Sequence, residues 1–599
     1  MRDSRCVPHR ALGAAFLACV LSMLVSACGR QPDALAAVDA VHRSATTEAR
    51  PPLARIAPGI PLDLDYIDRS APAFARFKRW VDSAVAGDLG YAFSAYDAAL
   101  LYRLVPDRKY CALAVTMTDR EVADAEAAID DGRTPDIAAD SYLDVGPRIA
   151  ALSMTLDTCR ADIDDARRKR WSAYAGQAVW NVWHNLRAHW GGRPHPWTGW
   201  STDNPGNNYY YSFVEATLYW ALASGDNDWM RALHDEKMPA LQAYFAALPG
   251  GGSREGTGYG AAHMRLFALY RLWRDATGDD IANASRHADD SIDYWVHATV
   301  PTLDRFAPIG DQSRSSIPEL YDYHRRLVLE ARALSKDPAR RALASWWLHH
   351  IAVARMGSGF NTLHDLLPAG AADAPAPTAL FHHAEGTGHL FARSGWDRDA
   401  MWLAFVAGPF DESHAHEEQG GFTLFARDWL TVTENIWTHS GIQQGTATHN
   451  VLRFERGAAD DDVLHQRRRS MSRMTVTPGA DGALRAVADL TSAYGSSSPV
   501  QGWTRTLDFA GRRLRVEDRF AVDADIRAVF QLNLPVEPTL DGRTAVAGRL
   551  RIKVIAPASA TLTKLDWRGV DGEEFRSGWR LDIAGGTDTY VVELEEVSN

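Results

Sequence analysis

Ser413-His414-Ala415-His416 places two imidazoles two residues apart, inside an acidic stretch that runs from Asp411 to Glu418. On an extended strand, positions i and i+2 share a face, so His414 and His416 are expected to point the same way. Two adjacent imidazoles suit either a metal ion or a division of labour between proton transfer and ligand binding. A polar loop with incidental histidines has the same spelling, so the flanking sequence has to decide. Leu430 to Glu434 reads as a strand, and His449-Asn450 opens another, Val451 to Phe454. An imidazole from the His-x-His segment, the Glu434 carboxylate and the His449 imidazole make a set of the kind that suits zinc. Glu434 can instead pair with a nearby base.

Two further segments carry polar groups in suggestive order. Asp203-Asn204-Pro205-Gly206-Asn207-Asn208-Tyr209-Tyr210-Tyr211 opens an expected helix, and Asn is a common helix cap. Gly250-Gly251-Gly252-Ser253-Arg254-Glu255-Gly256-Thr257-Gly258-Tyr259-Gly260 holds six Gly in eleven residues, which excludes a core helix and points to a loop. Functional groups often sit on such loops, although a lone loop Tyr is usually packing.

The elements that must position these residues fall into two halves. From about 60 to 355 the pattern is helical. Trp171, Tyr174, Ala175, Ala178 and Val182 follow helical spacing, as do Leu266, Leu269, Tyr270 and Trp273. Similar stretches recur near 74–87, 92–105, 145–158, 209–223, 229–247, 282–298, 317–334 and 338–353. Many helices with short links suggest hairpin pairs, in a solenoid or a closed toroid, and the lack of a fixed repeat period argues against the open solenoid. Ala372-Asp373-Ala374-Pro375-Ala376-Pro377 is a linker candidate. Beyond it, short apolar or alternating runs such as Met401 to Val406, Phe422 to Phe425 and Leu514 to Glu517 read as strands of a β-sandwich.

Asn-Asn, then Glu-Gly-x-x-Tyr, then Ser-His-x-His, then His-Asn resembles the heparinase II/III-like polysaccharide lyases, a group that includes heparin and alginate lyases. Phe391-Ala392-Arg393-Ser394-Gly395-Trp396-Asp397 is similar to the strand region that opens their β domain. The motifs span residues 200–460. The resemblance implies a multidomain α+β chain, with an incomplete (α/α) toroid over 56–370 followed by an antiparallel β-sandwich over 378–599. It implies that Asn208 and His414 neutralise a uronate carboxylate, that Tyr259 is general base and acid, and that Asn207, Arg254 and Glu255 contact substrate. It also implies structural zinc on His416, Glu434 and His449. Two departures stand out: Tyr209 occupies a position where some alginate lyases carry His, and the family's metal carboxylate is commonly Asp. Asn207 rather than Asn208 can be the functional amide.

These residue types suit β-elimination, in which the C5 proton of a uronate is removed and the C4 oxygen leaves. Charge builds on the carboxylate, where Asn and His donors act as an oxyanion hole does, each worth about 3–4 kcal/mol of barrier. A Tyr phenolate serves as base if cations lower its pKa from about 10. Arg254, Arg265, Arg393 and Arg427 are the candidate cations. Two other classes stay open. A toroid-fold glycoside hydrolase would use acids such as Glu255 and Asp203 and give saturated products. A non-catalytic surface glycan-binding lipoprotein would rely on the segments Trp180 to Trp200 and Trp429 to Trp437.

The whole chain sets the bounds. It has 599 residues, 46% hydrophobic and 23% charged, enough for two or more packed domains. A net charge of −12 without a long basic run argues against nucleic acid, and an acidic polysaccharide would need a local basic cleft. Arg2, Arg5 and Arg10 precede the apolar run Ala11 to Ala27, which reads as a signal peptide rather than a membrane span. Leu24-Val25-Ser26-Ala27-Cys28-Gly29 resembles a bacterial lipobox, with Cys28 as the lipidated residue, and Gly29 favours the outer membrane, periplasmic or surface facing. Residues 29–55 read as a tether. Of five Cys, only Cys111 and Cys159 lie in the body, to pair in an oxidising compartment or to remain buried thiols.

Overall fold

A computed structural model describes Leu53, Ile56 and residues 58–597, save 312–318, 354–360, 433–443, 458–461, 571–574 and 576. The expected signal sequence, Cys28, most of the expected tether, Glu434 and Trp437 therefore lie outside the described residues. Among those residues, no helix is long and apolar enough to cross a membrane.

The first half is helical. Ala95–Leu104, Val145–Thr158, Asn208–Ser224, His263–Thr277 and Asp322–Leu334 pack each against the next in that order. Asn208–Ser224 shows why these segments fold as they do. The Asn207 side chain accepts from the Tyr209 N–H at its start, and Gly225 ends it at φ 72°, a left-handed conformation open to Gly. Tyr210, Tyr211, Phe213, Val214, Leu218 and Leu222 are buried on it.

Two helical expectations need correcting. The single helix expected over 229–247 is broken into Asn227–Ala232, a π turn Leu233–Lys237, and Met238–Ala246. Pro239 lacks an N–H and its ring crowds the carbonyl four residues back, and the wider π turn relieves that conflict. The longest helix among the described residues, Arg108–Asp130, is missing from the sequence reading. Its buried face is mostly Ala, Thr, Cys and Val, so its apolar period is faint. Cys111 on this helix forms a disulfide with Cys159 at the end of Val145–Thr158, which settles the open choice between a bridge and free thiols.

The second half is antiparallel sheet. Five strands, from Phe381–Ala384 to Asp428–Thr431, pair in chain order except for a short excursion at Pro409–Phe410. Their central members are buried throughout, and alternation splits their residues between two cores. Phe391, Trp402, Ala404 and Phe425 face the helical core, while Leu390, Leu403, Phe405 and Leu424 face the β core. That double burial explains why Trp402–Val406 reads as a continuous apolar run. An eight-stranded sheet and a four-stranded sheet complete the half, and the Leu452–Arg456 strand of the latter follows directly on His449-Asn450.

Candidate active site

Three loops meet where the halves join. The Gly-rich segment runs into a short turn, Tyr259–Ala262, and then the His263–Thr277 helix. Thr257 N donates to Ile309 O at 2.8 Å, and Asp311 N donates to His414 O at 2.9 Å. Gly310 makes the approach possible: at φ 72°, a Cβ there would stand 2.6 Å from Glu255 O and 2.8 Å from His414 O.

Glu255 is the hub. It is fully buried, and its Oε1 accepts from Asn207 Nδ2 at 3.0 Å while Oε2 accepts from Asn208 N at 3.1 Å. Burial pushes its carboxyl well above the usual range, reinforced by Glu412. Glu255 was expected to contact substrate; it instead lies beneath the two asparagines and holds them.

The two asparagines separate in role. Asn207 is spent internally: its oxygen caps the helix through Tyr209 N, and its amide reaches both Glu255 and, at 3.4 Å, Ser413 Oγ. Asn208 is 7% exposed and its side-chain oxygen has no hydrogen-bond partner. A buried amide oxygen without a partner is costly.

His414 lies against Tyr259, ring on ring, with centroids 3.6 Å apart and planes 9° from parallel. Its Nδ1 is 3.0 Å from Asp311 Oδ2; its Nε2 has no hydrogen-bond partner and sits 3.8 Å from Glu255 Oε1. The expected strand is absent here, because residues 411–421 form a loop. The two histidines nonetheless converge, because both bind one carboxylate: Asp311 Oδ1 accepts from His416 Nε2 at 2.6 Å. Gln444 Nε2 donates to the same group. Burial works against charge on Asp311, but hydrogen bonds from His414 and His416 prevail and hold it at about 2. Sequence reasoning missed Asp311. It stands alone after Pro308-Ile309-Gly310, about a hundred residues from its partners, with no local signal.

The candidate cations are dispersed. Arg254 donates to Gly386 O at 3.1 Å and pairs with Asp411 at 2.8 Å, so it bridges the halves. Arg393 is buried among carbonyls, including Thr299 O at 2.7 Å. Arg427 is exposed and paired with Asp399. Arg265 lines a separate cavity. Of the tryptophans, Trp200 is 44% exposed, on the loop that leads to Asn204, and Asn204 Nδ2 donates to Glu412 Oε2 at 3.0 Å.

Among the described residues, no group of three His, Cys, Asp or Glu is arranged to hold a metal. Two of the expected zinc donors do converge: His416 Nδ1 and His449 Nε2 are 3.2 Å apart, both buried. Zinc–nitrogen bonds of about 2.0–2.1 Å on a tetrahedron set two donors about 3.3 Å apart. Asp311 takes the Nε2–H of His416, which leaves the Nδ1 lone pair facing His449, as a second-shell carboxylate does for a metal ligand. Burial, then His416, keeps His449 well below its ordinary pKa, in the neutral form that binds metal. Two corners therefore fit zinc; the third, Glu434, lies outside the described residues.

No family model matches the sequence, and no curated protein matches it. Solved structures do. Heparinase III superposes with a TM-score of 0.57 at 12% identity, over 94% of this chain and 89% of that one. A second heparinase III gene product gives 0.54 at 10% identity, over 94% and 91%. The heparan sulfate lyase HepC from Pedobacter heparinus gives 0.52 at 15% identity, over 84% and 75%. The likeness extends over both the helical and the β half, and the chain therefore shares the fold of heparinase-type polysaccharide lyases.

Proposed function

We propose that this chain is a polysaccharide lyase that cleaves a uronic-acid-containing polymer of the alginate, glucuronan or glycosaminoglycan type by β-elimination. The fold is read as an incomplete (α/α) toroid joined to an antiparallel β-sandwich, with the substrate between them. The observation that carries the reading is the convergence of Asn208, Tyr259 and His414, from both halves, around the buried Glu255.

The roles follow from the geometry. Asn208, through its side-chain NH2, and His414, through Nε2, meet the uronate carboxylate. Asp311 on Nδ1 orients the ring so that Nε2 faces the growing charge. Tyr259, stacked on that ring, takes the C5 proton as phenolate. The C5–H electrons form the C4=C5 double bond as the C4–O bond breaks, and the tyrosine proton passes to the departing oxygen. Asn207 and Glu255 position these groups.

A zinc held by His416, His449 and Glu434 would tie the loop of His414 to the β half. The chain is read as an exported lipoprotein anchored at Cys28 in the outer membrane, and the Cys111–Cys159 bridge suits an oxidising compartment. A panel of uronate polysaccharides tests the activity. A lyase releases a 4,5-unsaturated end that absorbs ultraviolet light, and depolymerisation without that absorbance would refute the reading.

A further inference from the structure

A second cavity lies within the helical half. Its volume is about 310 Å³, near the small end of pockets that hold small molecules, roughly 300–1,000 Å³. All five successively packed helices named above line it, from Ala95–Leu104 to Asp322–Leu334. None of Asn207, Asn208, Glu255, Tyr259 or His414 is on its wall. Glu215 and Tyr219 are, and they lie about 10 and 16 Å along the helix from Asn208 at 1.5 Å per residue. These wall residues lie two to three helical turns along from the candidate active site.

Its wall is neither a core defect nor an apolar slot. Five tyrosines line it: Tyr66, Tyr91, Tyr96, Tyr219 and Tyr323. Three arginines join them. Arg271 is used up by Glu330, with bonds of 2.9 and 3.2 Å. Arg265 acts through charge on Glu215, and Arg326 on Glu215, Asp97 and Asp322, yet among the described residues neither forms an ion pair or a hydrogen bond to a carboxylate, and the buried Arg326 Nε has no hydrogen-bond partner. The acids at the wall are partly committed: Asp97 accepts from Ser94, and Asp322 accepts from Asn361 N. Burial pushes Asp97 up to about 7 and raises Glu215 and Asp322, which weakens the opposing negative charge.

Each part of that wall selects a feature of the ligand. Uncommitted guanidiniums match a carboxylate in bidentate fashion. Tyrosine faces suit the C–H face of a sugar ring, and their hydroxyls, with Glu215, suit its hydroxyls. An apolar occupant would leave the guanidiniums desolvated and unpaired.

We propose that this cavity is a second binding site, for a single hexuronate or its unsaturated product, distinct from the site of cleavage. The choice of a uronate among acidic sugars rests on the lyase reading. The ligand's source is a released monosaccharide rather than the end of the polymer, since no proposed catalytic group lines the cavity.

Calorimetric titration of the full chain with glucuronic acid tests it, with glucose as the neutral control. Ala268 lines the cavity, and Ala268→Phe fills it. Glucuronic acid is expected to bind the wild type and the Asn208→Ala variant alike, at least tenfold more tightly than glucose. Ala268→Phe is expected to abolish that binding and Arg326→Met to weaken it about tenfold, while Ala268→Phe leaves polymer cleavage unchanged. Binding that survives both cavity changes, or is lost in Asn208→Ala, or is absent from the wild type, overturns the proposal. So does a fall in polymer cleavage in Ala268→Phe, which would make the cavity a polymer subsite. Ultraviolet-absorbing product from the wild type tests the lyase reading separately, whatever the titration gives.

Discussion

Asp311→Asn is the perturbation that separates the proposed geometry from a mere collection of polar residues. Asp311 accepts from His414 Nδ1 at 3.0 Å and from His416 Nε2 at 2.6 Å, one oxygen to each ring. An asparagine of the same shape can accept from only one of them; its NH2 must face the other ring. One hydrogen bond to a charged group is thus lost, worth about 1.5–3 kcal/mol. If the loss falls on the orientation of His414, it enters the barrier directly. At 1.36 kcal/mol per decade this is about a 10- to 150-fold drop in turnover. The assay is the initial rate of ultraviolet-absorbing product on whichever uronate polymer the wild type cleaves, with thermal unfolding as a check that the variant is folded. The loss should appear in kcat more than in KM, because the ring's donor matters most as charge develops. A folded Asp311→Asn protein that turns over within about threefold of the wild type would refute the role given to this carboxylate.

Three other outcomes follow from the same structure. Replacing Cys111 and Cys159 by Ala opens a 48-residue loop and should cost about 4 kcal/mol on the chain-entropy estimate, read as a lowered denaturant midpoint; an unchanged midpoint would show that the bridge constrains nothing. Asp97 is 2% exposed and its folded pKa is raised to about 7 by burial, so the folded chain holds a proton that the unfolded chain, with a pKa of about 3.9, releases. Stability from this group is therefore full below about pH 4 and is lost as pH rises to about 7, and the advantage of Asp97→Asn over the wild type should grow across that window in thermal midpoints; a constant difference would contradict it. Metal analysis of protein purified without chelator should find about one zinc per chain, lost in a His416→Ala, His449→Ala double variant, and metal-free wild type with unaltered thermal stability would remove zinc from the account.

The fold was legible where the apolar period was strong. Val145–Thr158 and the Trp171 helix carry large side chains at helical spacing, and Trp402–Val406 announces a doubly covered strand. Arg108–Asp130 escaped notice because small residues bury its face, and the π turn at Leu233–Lys237 because its cause, Pro239, sits inside an otherwise regular pattern. At the site, the short motifs identified Asn208, Tyr259 and His414. They could not tell a helix cap from a ligand donor. In the structure the Asn207 side chain is committed to Tyr209 and Glu255, whereas the Asn208 side-chain oxygen has no hydrogen-bond partner. Glu255, expected as a substrate contact or as the acid of a hydrolase, is buried completely by loop packing. Asp311 was invisible for the opposite reason. Its meaning lies wholly in contacts with residues 103 and 105 positions away.

Tyr259→Phe removes one oxygen and leaves the ring that stacks on His414. Its rate of ultraviolet-absorbing product, measured beside its affinity for the same polymer, tests the central claim most directly. The account predicts that binding stays within a few-fold of the wild type while turnover falls by at least about a thousandfold, the scale on which general acid–base groups contribute. Turnover that persists in the folded variant at a tenth of the wild-type rate or more would contradict it.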